Sequence, residues 1–164
     1  MHLQIMYMHR TMSTHRQPRK TLRADARALV ETCAGCNLRL AARRVTQFLD
    51  REMAESGLSV AQFGLMARIA AASDDTLGGL AQRTGLDQST LSRNLRTLEA
   101  LGLVEIAAVE TDLRRRVVWL TETGARRLEA AIPICRAANT RLAKYLSLDL
   151  ARRLADESES LATV

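Results

Sequence analysis

Residues 76–124 read TLGGLAQRTGLDQSTLSRNLRTLEALGLVEIAAVETDLRRRVVWLTETG, and this stretch decides the fold. Thr76 is a suitable N-cap for a short helix, Gly85 supplies a tight turn, and Asp87 can cap a second helix. In that second helix the leucines at positions 91, 95, 98 and 101 recur at the spacing of one buried face. Gly102 is placed to end it. The sequence therefore predicts a helix, a tight turn and a second helix.

Two β-prone runs follow the second helix, at residues 103–106 and 117–120. Residues 110–116 join them and end in three consecutive arginines. We predict a β-hairpin wing whose loop carries these arginines. Three adjacent guanidinium groups repel one another unless an anion such as a phosphate backbone shares them. The predicted fold class is mainly α with a small β-hairpin wing (α+β), that is, a winged helix-turn-helix flanked by N- and C-terminal dimerisation helices.

A winged helix-turn-helix can place its second helix in the major groove of DNA and its wing on the flanking backbone. The outer face of the second helix carries side chains that are short, or that end in donors and acceptors suited to base edges and phosphates. The residues predicted to contact DNA are Thr76, Gln88, Ser89, Thr90, Ser92, Arg93, Asn94, Arg96, Asp112, Arg114, Arg115 and Arg116. We therefore predict sequence-specific binding to a double-stranded DNA operator.

The same residues resemble the MarR family of bacterial transcriptional regulators. The resemblance is carried by LDQSTLSR at 86–93, by LEALGLV at 98–104, and by the wing pattern Asp112-x-Arg114 with Leu120, Thr121 and Gly124 after it. It covers about residues 30–146, and the wing pattern is its most specific part. The resemblance implies that Arg114 enters the minor groove and that Asp112 orients it. It also implies an obligate homodimer on a palindromic operator, released by a small ligand or by thiol oxidation.

The composition agrees with a nucleic-acid partner. The chain has 164 residues, a net charge of +6 and 3% aromatic residues, so aliphatic side chains in helices must form most of the core. A positive net charge favours a polyanionic partner. No apolar run is long enough to span a bilayer, and the N-terminal segment has no apolar signal core. We expect a cytoplasmic protein with no membrane partner.

The chain is predicted to contain three kinds of segment. Residues 1–24 form a flexible basic arm, in which translation could start at Met1, Met6, Met8 or Met12. Residues 59–121 form the winged helix-turn-helix DNA-binding region. Residues 25–58 and 122–164 form a helical dimerisation region.

The helices outside the DNA-binding motif carry more apolar surface than one small domain can cover. Their predicted inward-facing residues are Leu38, Ala41, Ala42, Val45, Leu49 and Met53 in a helix over about residues 33–55; Phe63, Met66, Ile69 and Ala70 after a Ser59–Gln62 capping box; Leu128, Ile132, Cys135, Ala138, Leu142 and Tyr145 after a Thr121 cap; and Leu150, Leu154 and Leu161 after Ser147. Burial against a second copy gives a two-fold homodimer with recognition helices about 34 Å apart.

The three cysteines leave three interpretations open. Cys33 and Cys36 form a C-x-x-C on the first long helix, and Cys135 lies on the apolar face of the helix after the wing. They are small buried apolar residues in a reducing cytosol, a redox switch, or thiolate ligands for a soft metal or metalloid. Peroxide sensors of the family surround an early cysteine with tyrosines. Arg39, Leu49 and Val60 stand here at those places, so peroxide sensing is not favoured.

A small aromatic or carboxylate inducer is a further hypothesis, at the place where the first helix, the helix after the wing and the DNA-binding motif meet. Arg39 and Arg43 lie four residues apart, so either could pair with a carboxylate from that helix face. The alternative for each arginine is that it is solvated or pairs with a side chain of the protein itself.

The sequence does not predict an enzyme, a cofactor or a metal site. All three histidines, His2, His9 and His15, lie in the arm, and no glycine-rich phosphate loop or nucleophile elbow is present. The predicted function is a homodimeric transcription regulator, most simply a repressor that blocks a promoter. The alternatives are a redox- or metal(loid)-sensing regulator acting through Cys33, Cys36 and Cys135, and a helical scaffold or antirepressor of the same fold that no longer binds DNA.

Overall fold

The computed structural model describes residues 20–73, 76–109 and 112–163 of the chain. Its helices are α1 (Lys20–Thr32), α2 (Ala34–Glu52), α3 (Val60–Ala71), α4 (Leu77–Thr84), α5 (Gln88–Ala100), α6 (Glu122–Leu142) and α7 (Leu148–Ser158). Short 3-10 turns span Ala54–Ser56 and Glu159–Thr163. The strands are β1 (Val104–Val109) and β2 (Asp112–Leu120). The predictions for residues 1–19 lie outside the described residues.

The described residues up to Ala42 belong to one compact unit and those from Arg43 onward to another. In the first unit, α1 begins at Lys20, within the segment of residues 1–24 that was predicted to form the arm. Cys33 lies between α1 and α2 and belongs to neither helix, so the prediction that it lies within the first long helix was wrong. That helix also ends earlier than predicted, at Glu52.

Five helices in the second unit begin with a side-chain cap, as the sequence predicts, and the capping residues are Ser59, Thr76, Asp87, Thr121 and Ser147. The Ser59 hydroxyl accepts from the Gln62 amide, and the Gln62 side chain accepts from the Ser59 amide at 2.9 Å. Thr76, Thr121 and Ser147 each accept from an amide three residues on, at 3.1, 2.9 and 3.2 Å. Such a cap satisfies one of the N–H groups that a helix leaves without an intrahelical partner.

The end of α5 differs from the prediction in one residue. Leu91, Leu95 and Leu98 are buried, but Leu101 is 55% exposed. The cause is a Schellman motif: Gly102, at φ 68°, donates to the Glu99 carbonyl at 2.8 Å, and the next amide, that of Leu103, donates to the Leu98 carbonyl at 2.9 Å. This reversal turns Leu101 outward and brings Leu103, only 4% exposed, into the core.

The main core fixes the helix-turn-helix against the hairpin. Its fully buried members come from α3, α4, α5, α6, β1 and β2, and the largest are Met66, Leu80, Leu91, Leu95, Leu98, Val104 and Val118. Each such side chain contributes about 1.5–3 kcal/mol through burial. The helix-turn-helix and the hairpin therefore share one core, which holds α5 at a defined position beside the wing.

The wing hairpin is longer than predicted. The strands pair antiparallel from Val104 opposite Leu120 to Ala108 opposite Arg116, and a bulge then brings Val109 opposite Asp112. The arginines at 114–116 thus lie in β2, and the prediction that they form the loop was wrong. The β-prone residues of this strand begin only at Val117. The strand itself starts earlier because ladder hydrogen bonds are made by the backbone and do not require β-prone side chains.

A second cluster joins the end of α2 to α6, and consists of Leu49, Met53, Ala138 and Leu142. Five further residues before α7 that were predicted to face inward are exposed, namely Leu38, Ala41, Ala42, Ala70 and Tyr145. Ala70 is exposed and Leu65 is buried in its place on α3, and Tyr145 lies beyond the end of α6 with 81% of its surface exposed, making an edge contact with Phe48. Along the described residues, no helix is both long and apolar enough to cross a membrane.

Candidate nucleic-acid interface

A cleft of about 890 Å³ lies between α4, α5 and the hairpin. Its apolar floor includes Leu77, Leu91, Leu95 and Ile106, which belong to the main core or pack against it. Its polar lining includes five of the residues predicted to contact DNA, namely Gln88, Ser89, Ser92, Arg96 and Arg116. The fold therefore brings the outer face of the second helix and the basic strand of the wing to one concave surface.

Asp87 organises the first turn of α5. Its carboxylate accepts from the Thr90 amide at 2.9 Å, from the Ser89 hydroxyl at 2.6 Å and from the Thr90 hydroxyl at 2.7 Å. These hydrogen bonds hold the pKa of the Asp87 carboxyl well below its usual range, and the bond from the Ser89 hydroxyl has the largest effect. Since both hydroxyl hydrogens are donated to Asp87, Ser89 and Thr90 present only oxygen lone pairs to a partner. Such oxygens can accept from the amino groups of bases but cannot donate to phosphate.

A short hydrogen-bond chain continues from Asp87 to Arg93. The Thr90 hydroxyl, which donates to Asp87, also accepts from Nη2 of Arg93 at 3.2 Å. Arg93 is exposed, and this bond uses one of the five N–H donors of its guanidinium. The sequence predicted Asp87 as a helix cap, but it gave no signal for the role of Thr90 in orienting Arg93.

We expect Asp87→Ala to lower the melting temperature at neutral pH, because α5 loses its cap. Since the pKa of Asp87 is lower in the folded than in the unfolded protein, this stabilisation is complete above the unfolded pKa of about 3.9. It declines progressively as the pH falls below that value and through the folded pKa. Thermal unfolding followed by circular dichroism between neutral pH and pH 3 tests this. Asp87→Asn is the matched control, since Asn caps well without titrating. If the difference in melting temperature between the wild type and Asp87→Ala stays constant down to pH 3, the assignment of Asp87 as a charged helix cap is contradicted.

The other residues predicted to contact DNA are more widely spread than the five that line the cleft. The side chains of Asp112 and Arg114 lie outside the described residues, so their pairing stays a prediction. Arg115 is exposed and is not part of the cleft lining. Asn94 is half-buried and is not part of the cleft lining, and the Thr76 hydroxyl caps α4.

The cysteines differ in environment, and all three are free thiols. Cys36 is exposed, whereas Cys33 and Cys135 are half-buried. Burial raises the pKa of the Cys135 thiol, and the Asn139 amide, which donates to its sulfur at 3.4 Å, opposes this. Among the described residues, no group of three or more His, Cys, Asp and Glu side chains is arranged to hold a metal ion.

A second cavity, of about 600 Å³, lies between α3, α6 and the start of α7. Phe63, Ile132 and Leu148 give it apolar walls, and Arg136 and Asn139 supply polar groups. The two arginines predicted for an inducer, Arg39 and Arg43, are exposed on α2, and Arg43 does not line this cavity. Sequence reasoning missed Arg136; the available signal was its position next to Cys135 on an otherwise apolar stretch of α6.

Comparison with known proteins places this arrangement in a family. The model of the MarR family matches residues 56–115. The transcriptional repressor NicR of Pseudomonas putida is 30% identical over 99 residues, which are 60% of this chain and 63% of NicR. The phenylalanine–tRNA ligase alpha subunit of Pyrococcus horikoshii is 36% identical over 73 residues, 44% of this chain and 14% of that subunit. The chain thus spans less than two thirds of either curated relative.

Solved structures extend the likeness over most of the chain. The transcriptional regulator MosR of M. tuberculosis, in a crystal structure with DNA, is 31% identical with a TM-score of 0.72, and the match covers 80% of this chain and 97% of that one. The MepR–DNA complex of S. aureus, at 22% identity and a TM-score of 0.64, shares the fold over 80% of this chain and 98% of that one. The chain belongs to the MarR family of winged helix-turn-helix transcriptional regulators.

Proposed function

We propose that the protein is a repressor that binds a palindromic double-stranded DNA operator as a homodimer and leaves it on binding a small ligand or on thiol modification. The observation that carries the proposal is the cleft in which Gln88, Ser89, Ser92 and Arg96 of α5 face the same space as Arg116 of β2. We assign DNA binding to residues 59–121, and dimerisation to residues 25–58 and 122–164.

Unpartnered apolar surface supports the homodimer. None of the residues of α7 is buried, although Leu150 and Leu154 lie four residues apart on one face and Leu148 is exposed as well. In α1, Leu22, Leu29 and Val30 are likewise more than half exposed. A second copy that covers these faces by two-fold symmetry removes them from water and places two copies of α5 on successive half-sites of a palindrome.

The cavity beside α6 supports release by a small ligand. Its volume of about 600 Å³ lies within the range of small-molecule sites, which are mostly apolar with a few polar groups. Arg136 supplies a fixed positive charge at its edge, and Phe63 offers an aromatic face. We infer that the inducer is a small aromatic carboxylate, with its ring against Phe63 and its carboxylate on Arg136.

We expect Arg116→Ala to weaken binding to all DNA sequences to a similar extent. If Arg116 contacts a phosphate, its loss reduces the slope of log K against log salt concentration by about one unit. Fluorescence anisotropy of a labelled duplex over a series of salt concentrations measures the slope.

Arg152→Ala is the matched control for charge, because Arg152 is an exposed arginine of α7 that pairs with Asp149 at 3.6 Å. Its slope should equal that of the wild type. A slope that is unchanged in Arg116→Ala as well excludes a phosphate contact by the Arg116 side chain.

A further inference from the structure

The Ser89 hydroxyl has a fixed hydrogen-bond direction. Its oxygen lies 2.6 Å from Oδ1 of Asp87, and at neutral pH this carboxylate is ionised and has no hydrogen of its own. The hydrogen in the contact is therefore the one on Ser89 Oγ, which makes Ser89 the donor. The hydroxyl keeps two lone pairs and no free hydrogen, so any further partner of Ser89 has to donate to it.

Both oxygens of the Asp87 carboxylate are occupied in this arrangement. Oδ1 also accepts from the Thr90 amide at 2.9 Å, and Oδ2 accepts from the Thr90 hydroxyl at 2.7 Å. The carboxylate cannot turn away from Ser89 without giving up the cap of α5 as well. The direction of the Ser89 hydrogen is thus set by the folded start of the helix and does not depend on a partner.

Ser89 is exposed on the first turn of α5 and lines the cleft that this helix shares with the wing. Phosphate and sugar oxygens of DNA only accept hydrogen bonds, so they cannot pair with the Ser89 oxygen. In the major groove the donors are the amino groups of adenine, at N6, and of cytosine, at N4. Guanine and thymine present a carbonyl oxygen at the corresponding position.

We propose that Ser89 is a specificity-determining residue that accepts a hydrogen bond from adenine N6 or cytosine N4, and that Asp87 is the positioning residue that excludes guanine and thymine there. The proposal rests on the proposed function, because it names the bases that the DNA-binding cleft reads. A guanine or thymine would bring its carbonyl oxygen against the Ser89 oxygen with no hydrogen between them, and leaving two acceptors unpaired disfavours binding. Each half-site therefore has adenine or cytosine at one position of one strand.

The experiment selects bound duplexes from a pool of random sequence with the full-length wild type and with Ser89→Ala, and sequences them. We expect one position in each wild-type half-site at which adenine and cytosine together exceed guanine and thymine by about fivefold, as one net hydrogen bond allows. Ser89→Ala should bring this ratio close to one and leave the other positions as they are. Ser89 is exposed, so this variant should keep the circular dichroism spectrum of the wild type.

Asp87→Gly tests the positioning role, because glycine is an adequate N-cap but offers no acceptor to the Ser89 hydroxyl. The hydroxyl hydrogen is then free to be donated, so guanine and thymine should be selected at that position about as often as adenine and cytosine. A merely structural role of Asp87 would lower the affinity for all duplexes and leave the ratio unchanged. Thr97→Ala is the matched control, since it removes an exposed hydroxyl of α5 that does not line the cleft, and it should keep the wild-type ratio.

The outcomes separate this proposal from the proposed function. A wild type that selects no sequence contradicts the proposed function, and this proposal with it. A wild type that selects a palindrome with the same base frequencies as Ser89→Ala overturns the role of Ser89 alone. A preference for guanine or thymine that disappears in Ser89→Ala also overturns it, because Ser89 would then be the donor to the base. An unchanged ratio in Asp87→Gly overturns the role of Asp87.

Discussion

Gly124→Ala is expected to destabilise the protein by about 3 kcal/mol or more, as overpacking against a rigid neighbour does. A Cβ on Gly124 would lie 1.9 Å from the Leu103 carbonyl oxygen and 2.9 Å from its carbonyl carbon. That carbonyl cannot easily move, because it accepts from the Thr121 amide at 3.2 Å at the point where the wing returns to α6. Helix propensity alone predicts the opposite sign, since Ala is favoured over Gly in a helix by about 1 kcal/mol.

Urea or thermal unfolding at a fixed protein concentration measures this effect, with the concentration held constant because a dimer unfolds in a concentration-dependent way. Gly78→Ala in α4 is the matched control, because a Cβ there meets no atom within 4 Å. The control should be as stable as the wild type or more stable by up to about 1 kcal/mol. If Gly124→Ala unfolds at the wild-type midpoint, the packing of α6 against Leu103 is wrong.

Arg93→Ala is expected to cost about 1–3 kcal/mol of operator affinity, roughly 5- to 150-fold, and less on random DNA of the same length. Arg93 is exposed on α5, and its guanidinium is oriented through Thr90 toward the start of the helix, the part of a recognition helix that meets base edges. The measurement is anisotropy on operator and random duplexes at one salt concentration.

Arg93→Lys separates charge from geometry, because lysine keeps the positive charge and loses the planar fork that can bind a base edge with two hydrogen bonds. We expect Arg93→Lys to bind random DNA like the wild type and to lose operator preference nearly as much as Arg93→Ala. If Arg93→Ala loses the same affinity on both duplexes and Arg93→Lys restores both, Arg93 contacts only phosphate.

Local chemistry made much of this fold predictable. The caps at Ser59, Thr76, Asp87 and Thr121 each need only a hydroxyl or carboxylate a few residues from an open amide, so sequence spacing is enough to identify them. The turn at Gly85 could also be predicted from local sequence, because glycine adopts its φ of 63° without strain. The mainly α architecture followed from these signals and the hairpin from the two β-prone runs, and the similarity to known winged-helix structures confirms both.

Features that depend on distant contacts could not be predicted in the same way. The pairing of Arg116, the last residue of the arginine run, with Ala108 is set by the backbone of the opposite strand, which side-chain propensity does not report. Leu101 fits the apolar spacing of α5, and only the reversal at Gly102 excludes it from the core. The cavity beside Arg136 needs α3 and α7 to be packed on α6, a three-dimensional relation that helical periodicity cannot show.

The most direct test of the central claim is the affinity of the reduced protein for DNA from the region upstream of its own gene. A labelled duplex carrying an intact palindrome is compared by anisotropy with one in which a single half-site is scrambled at constant length and composition. We predict that the intact site binds at least about a thousandfold more tightly than random DNA, and that scrambling one half-site removes most of this preference. Equal affinity for the intact, scrambled and random duplexes would contradict a sequence-specific dimeric repressor.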